Sequence, residues 1–382
     1  MRFIHTADWH LGRIFYGVYL TEDQVYVLDQ LVEIVKDQKP DALLISGDIY
    51  DRAVPSPEAV ELLDNVLTRI VLKHKVPVII IAGNHDSPQR LGFASSLLKK
   101  QGLHVTSLVS SEINPVVIDD RNGPVFIYPL PYAEPAVARG ALGNEDINSH
   151  AAVMEEMLGR IKAIHPHKQR SIIMAHAFVV GGEGSESERP LSIGGAGTVE
   201  STVFSGFNYV ALGHLHKPQS TGSEHINYAG SLLKYSFSES DHTKSVNVVE
   251  MDGKGRCRIE KIPLSLRRDV RRVEGTFKEI LKGPEKGRNK EDYLLGTLHD
   301  KGAILDAMIQ LREVYPNVLH IERPFIDTSE KLTGFKGDLQ KIDDAELFAS
   351  FFSQVTDDKP TEDQISSFAS VVDKLQRRDR EA

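Results

Sequence analysis

The sequence predicts an α/β protein with one large domain followed by smaller C-terminal segments, and three observations carry that expectation. Short apolar runs rich in Val, Ile and Leu recur between residues 1 and 215, each too short for a helix and uninterrupted by polar residues, as strands buried on both faces are. Stretches with helical apolar spacing separate several of these runs, which is the alternation that builds βαβ units. At 382 residues the chain exceeds the length at which a single core stops growing. A composition 41% hydrophobic and 26% charged suits a soluble protein with a substantial core.

Arg2 to Ala7 forms the first strand and runs into Asp8-Trp9-His10. Thr21 to Asp37 has Val25, Leu28, Leu31, Val32 and Val35 at helical spacing, and Ala42 to Ser46 is a second strand ending in Gly47-Asp48-Ile49-Tyr50-Asp51. The chain therefore opens as a right-handed βαβ unit. Pro55-Ser56-Pro57 begins a helix with Val60, Leu63, Val66, Leu67 and Ile70 on one face. Val78 to Ala82 is the most apolar strand and stops abruptly at Gly83-Asn84-His85-Asp86. Ser87-Pro88, an N-cap followed by a proline at the first helical position, predicts a helix to Lys100.

Residues 103–132 read as short strands, with Asn122-Gly123 as a hairpin turn, and a helix follows over 149–164. Ser171 to Ala175 runs into His176, and Tyr209 to Leu212 runs into Gly213-His214-Leu215-His216. Between them, residues 181–200 are rich in Gly, Ser and Glu without apolar period, which fits either a mobile substrate-facing lid or a spacer. Strand-like runs near 226–235, 245–251 and 256–262 supply the second half of a β-sandwich core. The first domain is expected to span 1–264.

Near residue 265 the character changes. Arg267, Arg268, Arg271, Arg272, Lys278, Lys282, Lys286, Arg288 and Lys290 make the most basic stretch of the chain. A strand at Tyr293 to Thr297, a helix over 301–314 and a strand at Val318 to Ile321 complete a small α/β unit. This unit, 265–335, is expected to be a DNA-gripping cap, the alternative being a merely solvated charged face. The segment 341–382 carries two apolar stripes: Leu347, Phe348, Phe351, Phe352 and Val355, then Ile365, Phe368, Val371, Val372 and Leu375 behind a Thr361/Gln364 capping box. A helix-loop-helix so apolar is expected to meet a partner.

The same grammar ends five strands: an apolar run, often a Gly, then Asp, Asn or His. Open α/β sheets hold ligands beyond the carboxyl ends of their strands, so these tips are expected to converge. The tips then supply two aspartates, one asparagine and four histidines as candidate ligands, a set of carboxylate, amide and imidazole groups without a thiolate. That chemistry suits Mn²⁺, Fe²⁺, Zn²⁺ or, less well, Mg²⁺. Seven ligands exceed what one ion takes, and the two oxygens of Asp48 can bridge, which points to a two-metal phosphoester hydrolase. His165-Pro166-His167 has the spacing of one tip but no strand before it, and reads as a surface loop. His5, His74, His104 and His320 are expected to be structural.

With Asp8-x-His10, Gly47-Asp48-x-x-Asp51, Gly83-Asn84-His85-Asp86, His176 and Gly213-His214-x-His216, the chain resembles the calcineurin-like metallophosphoesterases. Within them it resembles bacterial DNA nuclease subunits, through residues 5–12, 83–87, 181–191 and 229–239. The resemblance implies a four-layer αββα sandwich. It implies a first metal held by Asp8, His10, Asp48 and His216, and a second by Asp48, Asn84, His176 and His214. His85 would be catalytic, as proton donor or transition-state stabiliser, while Asp51 and Asp86 would orient histidines and loops. Other members have a histidine at the position of Asp51, so a catalytic role for that histidine does not carry over. Mn²⁺ dependence, a homodimer, action on DNA ends and hairpins, and an SMC-like ATPase docked on the terminal helices are implied as well.

The net charge of −9 argues against a protein that coats nucleic acid by electrostatics alone. The single cysteine, Cys257, permits no disulfide within the chain. With neither a leader pattern nor a long apolar run, a cytoplasmic protein is expected. Two alternatives to the nuclease stay open: a stand-alone phosphodiesterase or phosphatase, which would need no cap or apolar tail, and a catalytically silent DNA-end scaffold, which would need no complete ligand set.

Overall fold

Alternate residues of a strand face opposite sides of its sheet, and in this chain both sides are apolar. The computed structural model describes residues 1–191, 197–300, 302, 304–324, 344–356 and 358–381. The chain divides into two units, Met1–Val270 and Arg271–Ala382.

In chain order the first unit contains β1 (Arg2–Thr6), α1 (Thr21–Gln38), β2 (Ala42–Ser46), α2 (Pro57–Leu67), β3 (Val78–Ile81) and β4 (Leu103–Thr106). Then come β5 (Val116–Asp120), β6 (Gly123–Pro129), α3 (Pro135–Leu142), α4 (His150–Ile164), β7 (Arg170–His176) and β8 (Tyr209–Gly213). The unit closes with β9 (Gln219–Thr221), β10 (Ser223–Tyr228), β11 (Ser245–Met251) and β12 (Cys257–Pro263).

Two six-stranded sheets result, ordered β12-β11-β1-β2-β3-β4 and β9-β10-β8-β7-β6-β5. Strands β1 to β4 run parallel in the first, and β6, β7, β8 and β10 run parallel in the second. The last two strands of the unit thus return beside β1: β11 pairs antiparallel with β1, and β12 pairs antiparallel with β11 at the sheet edge.

The two sheets face each other across a shared core in which Phe3, Leu44, Ile79 and Ile81 meet Ile127, Ile172, Met174 and Tyr209. Helices α3 and α4 cover the outer face of the second sheet, where Ala138, Leu142, Met157 and Ile161 pack with Ile173, Ala175 and Val210. On the outer side of the first sheet, α2 closes an apolar cleft of about 310 Å³ between Leu63, Leu67 and Ile80, Leu103, Val105. This is the expected helix–sheet–sheet–helix layering.

Details depart from the spacing-based expectations. Val25 and Val60 stand at the rims of their stripes and are 40% and 45% exposed; Val27 and Ala59 take the buried places. The helix expected to reach Lys100 is broken into Pro88–Leu91 and Ser95–Leu98. At the break Gly92 lies so close to Ser107 that a Cβ would sit 2.3 Å from its hydroxyl, and Ala94 takes φ +58°. Helix α3, which opens on a proline, lies between the hairpin and α4, where the apolar spacing predicts no helix.

In the second unit β13 (Val270–Gly275), β14 (Tyr293–Leu298) and β15 (Val318–Glu322) form a three-stranded sheet, with β14 central. With helix α5 (Ala307–Val314) they enclose a small core of Ile280, Leu294, Leu298, Leu311, Tyr315 and Val318. The arginine-rich sequence of β13 hid its strand character. Two helices follow, α6 (Asp344–Thr356) and α7 (Glu362–Glu381), with Phe348 stacked on Phe368 at 4.3 Å between ring centroids and 9° between planes. No helix among the described residues is long and apolar enough to cross a membrane.

Candidate metal centre

The five strand tips converge, but from two sheets rather than one edge. Strands β1, β2 and β3 deliver Asp8, His10, Asp48, Asp51, Asn84 and His85; β7 and β8, in the opposite sheet, deliver His176, His214 and His216. The sheets touch at these ends. The Ser46 hydroxyl donates to Ala211 O at 3.0 Å, and a Cβ on Gly213 would fall 1.8 Å from Ser46 O. Only glycine permits that approach. Beyond the strands, Asp8 N donates to Gly47 O at 3.1 Å and His10 N to Asp48 O at 3.0 Å, so the first two tips run side by side. Asp8, His10, Asp48 and His214 all adopt positive φ, at +54°, +46°, +49° and +105°. Such strain persists only where the surroundings impose it, and it clusters at functional sites.

Three buried groups have ligand atoms within 4.8 Å of one another: Asp8, His10 and His216; Asp8, Asp48 and His176; and His10, Asp51 and His85. His10 and His216 face each other Nε2 to Nε2 at 3.1 Å. His176 Nε2 lies 2.9 Å from Asn84 Oδ1 and 3.5 Å from Asp48 Oδ2, and His214 Nδ1 lies 3.3 Å from the same Asn84 oxygen. The His214 amide donates to both oxygens of Asp8. His85 is held differently. Its amide donates to Asp48 Oδ1 at 2.9 Å, its Nδ1 donates to Asp51 O at 2.8 Å, and its Nε2 stands 4.0 Å from Asp48 Oδ2.

Asp51 Oδ1 accepts from Arg13 at 2.8 Å and lies 3.5 Å from His10 Nδ1. Asp86 accepts three backbone amides, from Ile49, Tyr50 and Gly83, and so ties the second tip to the third. Both contacts fit orienting roles.

Electrostatics favour a cation here. Burial, helped by the Asp48 charge, pushes Asp8 up to about 7 against the pull of His176. Burial would raise Asp48 as well, but His176, His10 and His85 hold it well below the usual carboxylate range. Burial would lower His176, yet Asp48 and Asp8 bring it up to about 9. Burial holds His85 and His214 below the ordinary imidazole range. His176 Nδ1 lies 2.9 Å from Ser46 O and must donate to it, so a neutral His176 would set its Nε2 lone pair against Asn84 Oδ1. A proton or a metal ion relieves that opposition. The buried Asn84 Nδ2 has no hydrogen-bond partner. Carboxylate, amide and imidazole donors so arranged fit hard or borderline divalent cations.

His5 lies between the sheets, where Nε2 donates to Leu212 O and Nδ1 accepts from Tyr209, each at 3.1 Å. Burial lowers it to about 3, and it is a structural bridge. His165 bonds Tyr128 and Gln169 O away from the centre. Sequence reasoning missed the wall behind His216: Ser187 Oγ is 2.6 Å from its Nδ1, Glu188 Oε1 accepts its amide at 2.8 Å, and the fully buried Glu239 lies 3.3 Å from Nδ1. The signal was the two stretches that carry the resemblance, 181–191 and 229–239. The first half of the expected lid is thus part of the site wall, while 192–196 lie outside the described residues.

A family model described as calcineurin-like phosphoesterase matches residues 1–218, and one described as the type 5 capsule protein repressor C-terminal domain matches 266–375. The SbcD subunit of the SbcCD nuclease of Staphylococcus saprophyticus is 34% identical over 375 residues, covering 98% of each chain. Its counterpart of the same name from Staphylococcus epidermidis is 32% identical over 357 residues, 94% of each chain. Among solved structures, a dimetal phosphatase from Danio rerio aligns with 70% of this chain and 99% of its own, at 13% identity and a TM-score of 0.41.

Proposed function

The chain belongs to the calcineurin-like phosphoesterases and is a phosphodiester hydrolase, and from that premise we propose that it is the nuclease subunit of an SbcCD-type complex. In this reading it is a Mn²⁺-dependent DNA nuclease, a double-strand exonuclease and a hairpin and single-strand endonuclease, acting in the cytoplasm with an SbcC-like SMC-family ATPase in DNA repair and recombination. One observation carries it: the donor set converges at the joined ends of two sheets in a chain that matches nuclease subunits over nearly its whole length.

Asp8, His10, Asp48 and His216 would hold one divalent cation, and Asp48, Asn84, His176 and His214 the other. When bound, such a pair supplies Lewis acidity toward phosphate oxygens and water. The protein's own part is positioning and proton handling. The Nδ1–H of His85 donates to the Asp51 carbonyl, which leaves Nε2 as the atom that would face the scissile phosphate, as proton donor or transition-state stabiliser. Asp51 and Arg13 steady His10, and Asp86 keeps the second and third tips in register.

Residues 265–335 are read as a DNA-gripping cap and 341–382 as the ATPase-binding helices. The cap's positive charge is narrower than its composition suggests. Arg267 pairs with Glu22, Arg268 with Asp23, Arg271 with Asp292 and Arg272 with Glu322. Lys278, Lys282, Lys286, Arg288 and Lys290 stay exposed and would meet the phosphate backbone. In the tail, Leu347, Phe351 and Val371 remain 41%, 56% and 55% exposed beside the stacked Phe348 and Phe368. These are the side chains an ATPase would cover. The homodimer that the resemblance implies would find an apolar surface in Phe93 and Leu97, 81% and 76% exposed after β3.

The test is a manganese-dependent assay of the full chain on linear and hairpin DNA, with and without the ATPase. Cleavage that needs Mn²⁺ and is stimulated by the ATPase supports the reading. Hydrolysis of small phosphodiesters alone would favour the stand-alone enzyme, and DNA binding without hydrolysis the scaffold.

A further inference from the structure

His216 offers one nitrogen to the centre and the other to a buried polar chain behind it. Its Nε2 faces His10, while Nδ1 lies 2.6 Å from Ser187 Oγ. Ser187 Oγ in turn is 2.5 Å from Glu239 Oε1. The far oxygen, Glu239 Oε2, accepts from the fully buried Lys244 at 2.5 Å, and Lys244 also donates to His216 O and Ser231 Oγ, each at 2.8 Å. A carboxylate tied to an ammonium in a dry interior is ionised and can only accept.

Counting protons then settles the chain's direction. Ser187 has a single hydroxyl proton, and Glu239 can take it but cannot give one. The Ser187 oxygen is left to accept, so the proton between it and His216 belongs to Nδ1. His216 is thereby fixed as the Nδ1–H tautomer, with Nε2 bare and aimed at the cation position. Neighbouring contacts lock the relay in place. Ser185 Oγ lies 2.9 Å from Ser187 Oγ and donates to Glu188 Oε2 at 2.8 Å, and Glu188 Oε1 holds the His216 amide.

We propose that residues 185–188, with Glu239 and Lys244, form a strap that sets the His216 tautomer, with Ser187 as a positioning residue on which cation binding beside Asp8 and His10 depends. The inference rests on the two-cation reading above. It gives the segment 181–191 a defined task, coupling the state of that loop to the occupancy of one metal position. Partners that orient a ligating histidine are generally worth 10- to 100-fold in metal affinity.

The experiment is Mn²⁺ titration of the full chain, followed by electron paramagnetic resonance of free Mn²⁺ and by elemental analysis, without any nuclease assay. In wild type, two bound Mn²⁺ are expected, and absence of binding would defeat the two-cation reading itself. In Ser187→Ala one of the two sites should weaken about 10-fold or more while the other is unchanged, and Ser187→Thr, which keeps the hydroxyl, should recover most of the loss. Glu239→Gln should be at least as damaging, because its amide can donate to Ser187 and turn the hydroxyl proton back toward His216. Imidazole ¹⁵N shifts should report the Nδ1–H form of His216 in metal-free wild type and its loss in Glu239→Gln. A purely structural role would lower thermal stability but leave the affinities and the tautomer of the folded variants as they are. Folded Ser187→Ala or Glu239→Gln with both affinities within twofold of wild type would overturn the proposal.

Discussion

His85 shares a tip with Asn84, yet it is held by Asp51 O and Asp48 from the backbone side and keeps its Nε2 4.0 Å from the nearest carboxylate oxygen. That placement supports the proposed role of His85 at the reacting phosphate, although His85 also stands within reach of a cation shared with His10 and Asp51. His85→Ala should therefore lower cleavage by about 10²–10⁴-fold with metal content near wild type. Elemental analysis beside nuclease rates checks this, and loss of one of the two metals would make His85 a ligand instead. Asp48 touches both halves of the centre, lying 3.6 Å from His10 and 3.5 Å from His176. Asp48→Ala should weaken both metal positions, because a bridging carboxylate also screens one dication from the other, whereas His10→Ala should weaken mainly the first. Metal titration decides, and equal stoichiometry in the two variants would argue against the bridge.

The elements owe their precision to how closely the two sheets approach at their carboxyl ends. A methyl group on Gly213 would collide with Ser46 O and lie 2.9 Å from His176 Nδ1. Gly213→Ala should cost at least roughly 1–3 kcal/mol by overpacking and loosen the His176 and His214 tips together. Gly159, in α4, has nothing within 4 Å of an added Cβ. There alanine should stabilise by about 0.5–1 kcal/mol, since it removes glycine's entropy without a clash. Parallel thermal melts of the two variants test the contrast, and similar melting temperatures would mean that the sheet ends yield more easily than their contacts imply.

For the whole molecule, the question is which apolar surfaces close on the protein itself. Deleting 341–382 should abolish ATPase binding while the truncated chain stays soluble, binds two metals and melts almost as before. Phe348 and Phe368 already stack on each other, yet Leu347, Phe351 and Val371 stay exposed; the side chains of Val355 and Leu375 lie outside the described residues. Covering each large apolar side chain is worth roughly 1.5–3 kcal/mol, so a fall of many degrees with partner binding retained would mean that the helices serve the core instead. Phe93→Glu should turn a dimer into a monomer in light-scattering measurements on the isolated chain without loss of melting temperature. A variant that stays dimeric would move the self-association surface elsewhere.

The convergence of the candidate donors was legible in the sequence because they sit directly behind apolar strands, where local order and strand polarity imply a shared edge. Asp8, His10, Asp48, Asn84, His176, His214 and His216 all stand at such tips, and the alternation of strand and helix announced the layers. What the pattern could not contain was long-range. That β11 returns to flank β1 with β12 beyond it, that the tips belong to two facing sheets, and that Gly213 must be bare to admit Ser46 are facts of sheet pairing. Glu239 and Lys244 escaped for the same reason. An acidic and a basic residue five positions apart read as surface, and only burial together, behind a histidine 23 residues earlier in the chain, turns them into an ion pair that orients it. The helix after Ser87-Pro88 failed locally as well, because the contact of Gly92 with Ser107 outweighs helix propensity there.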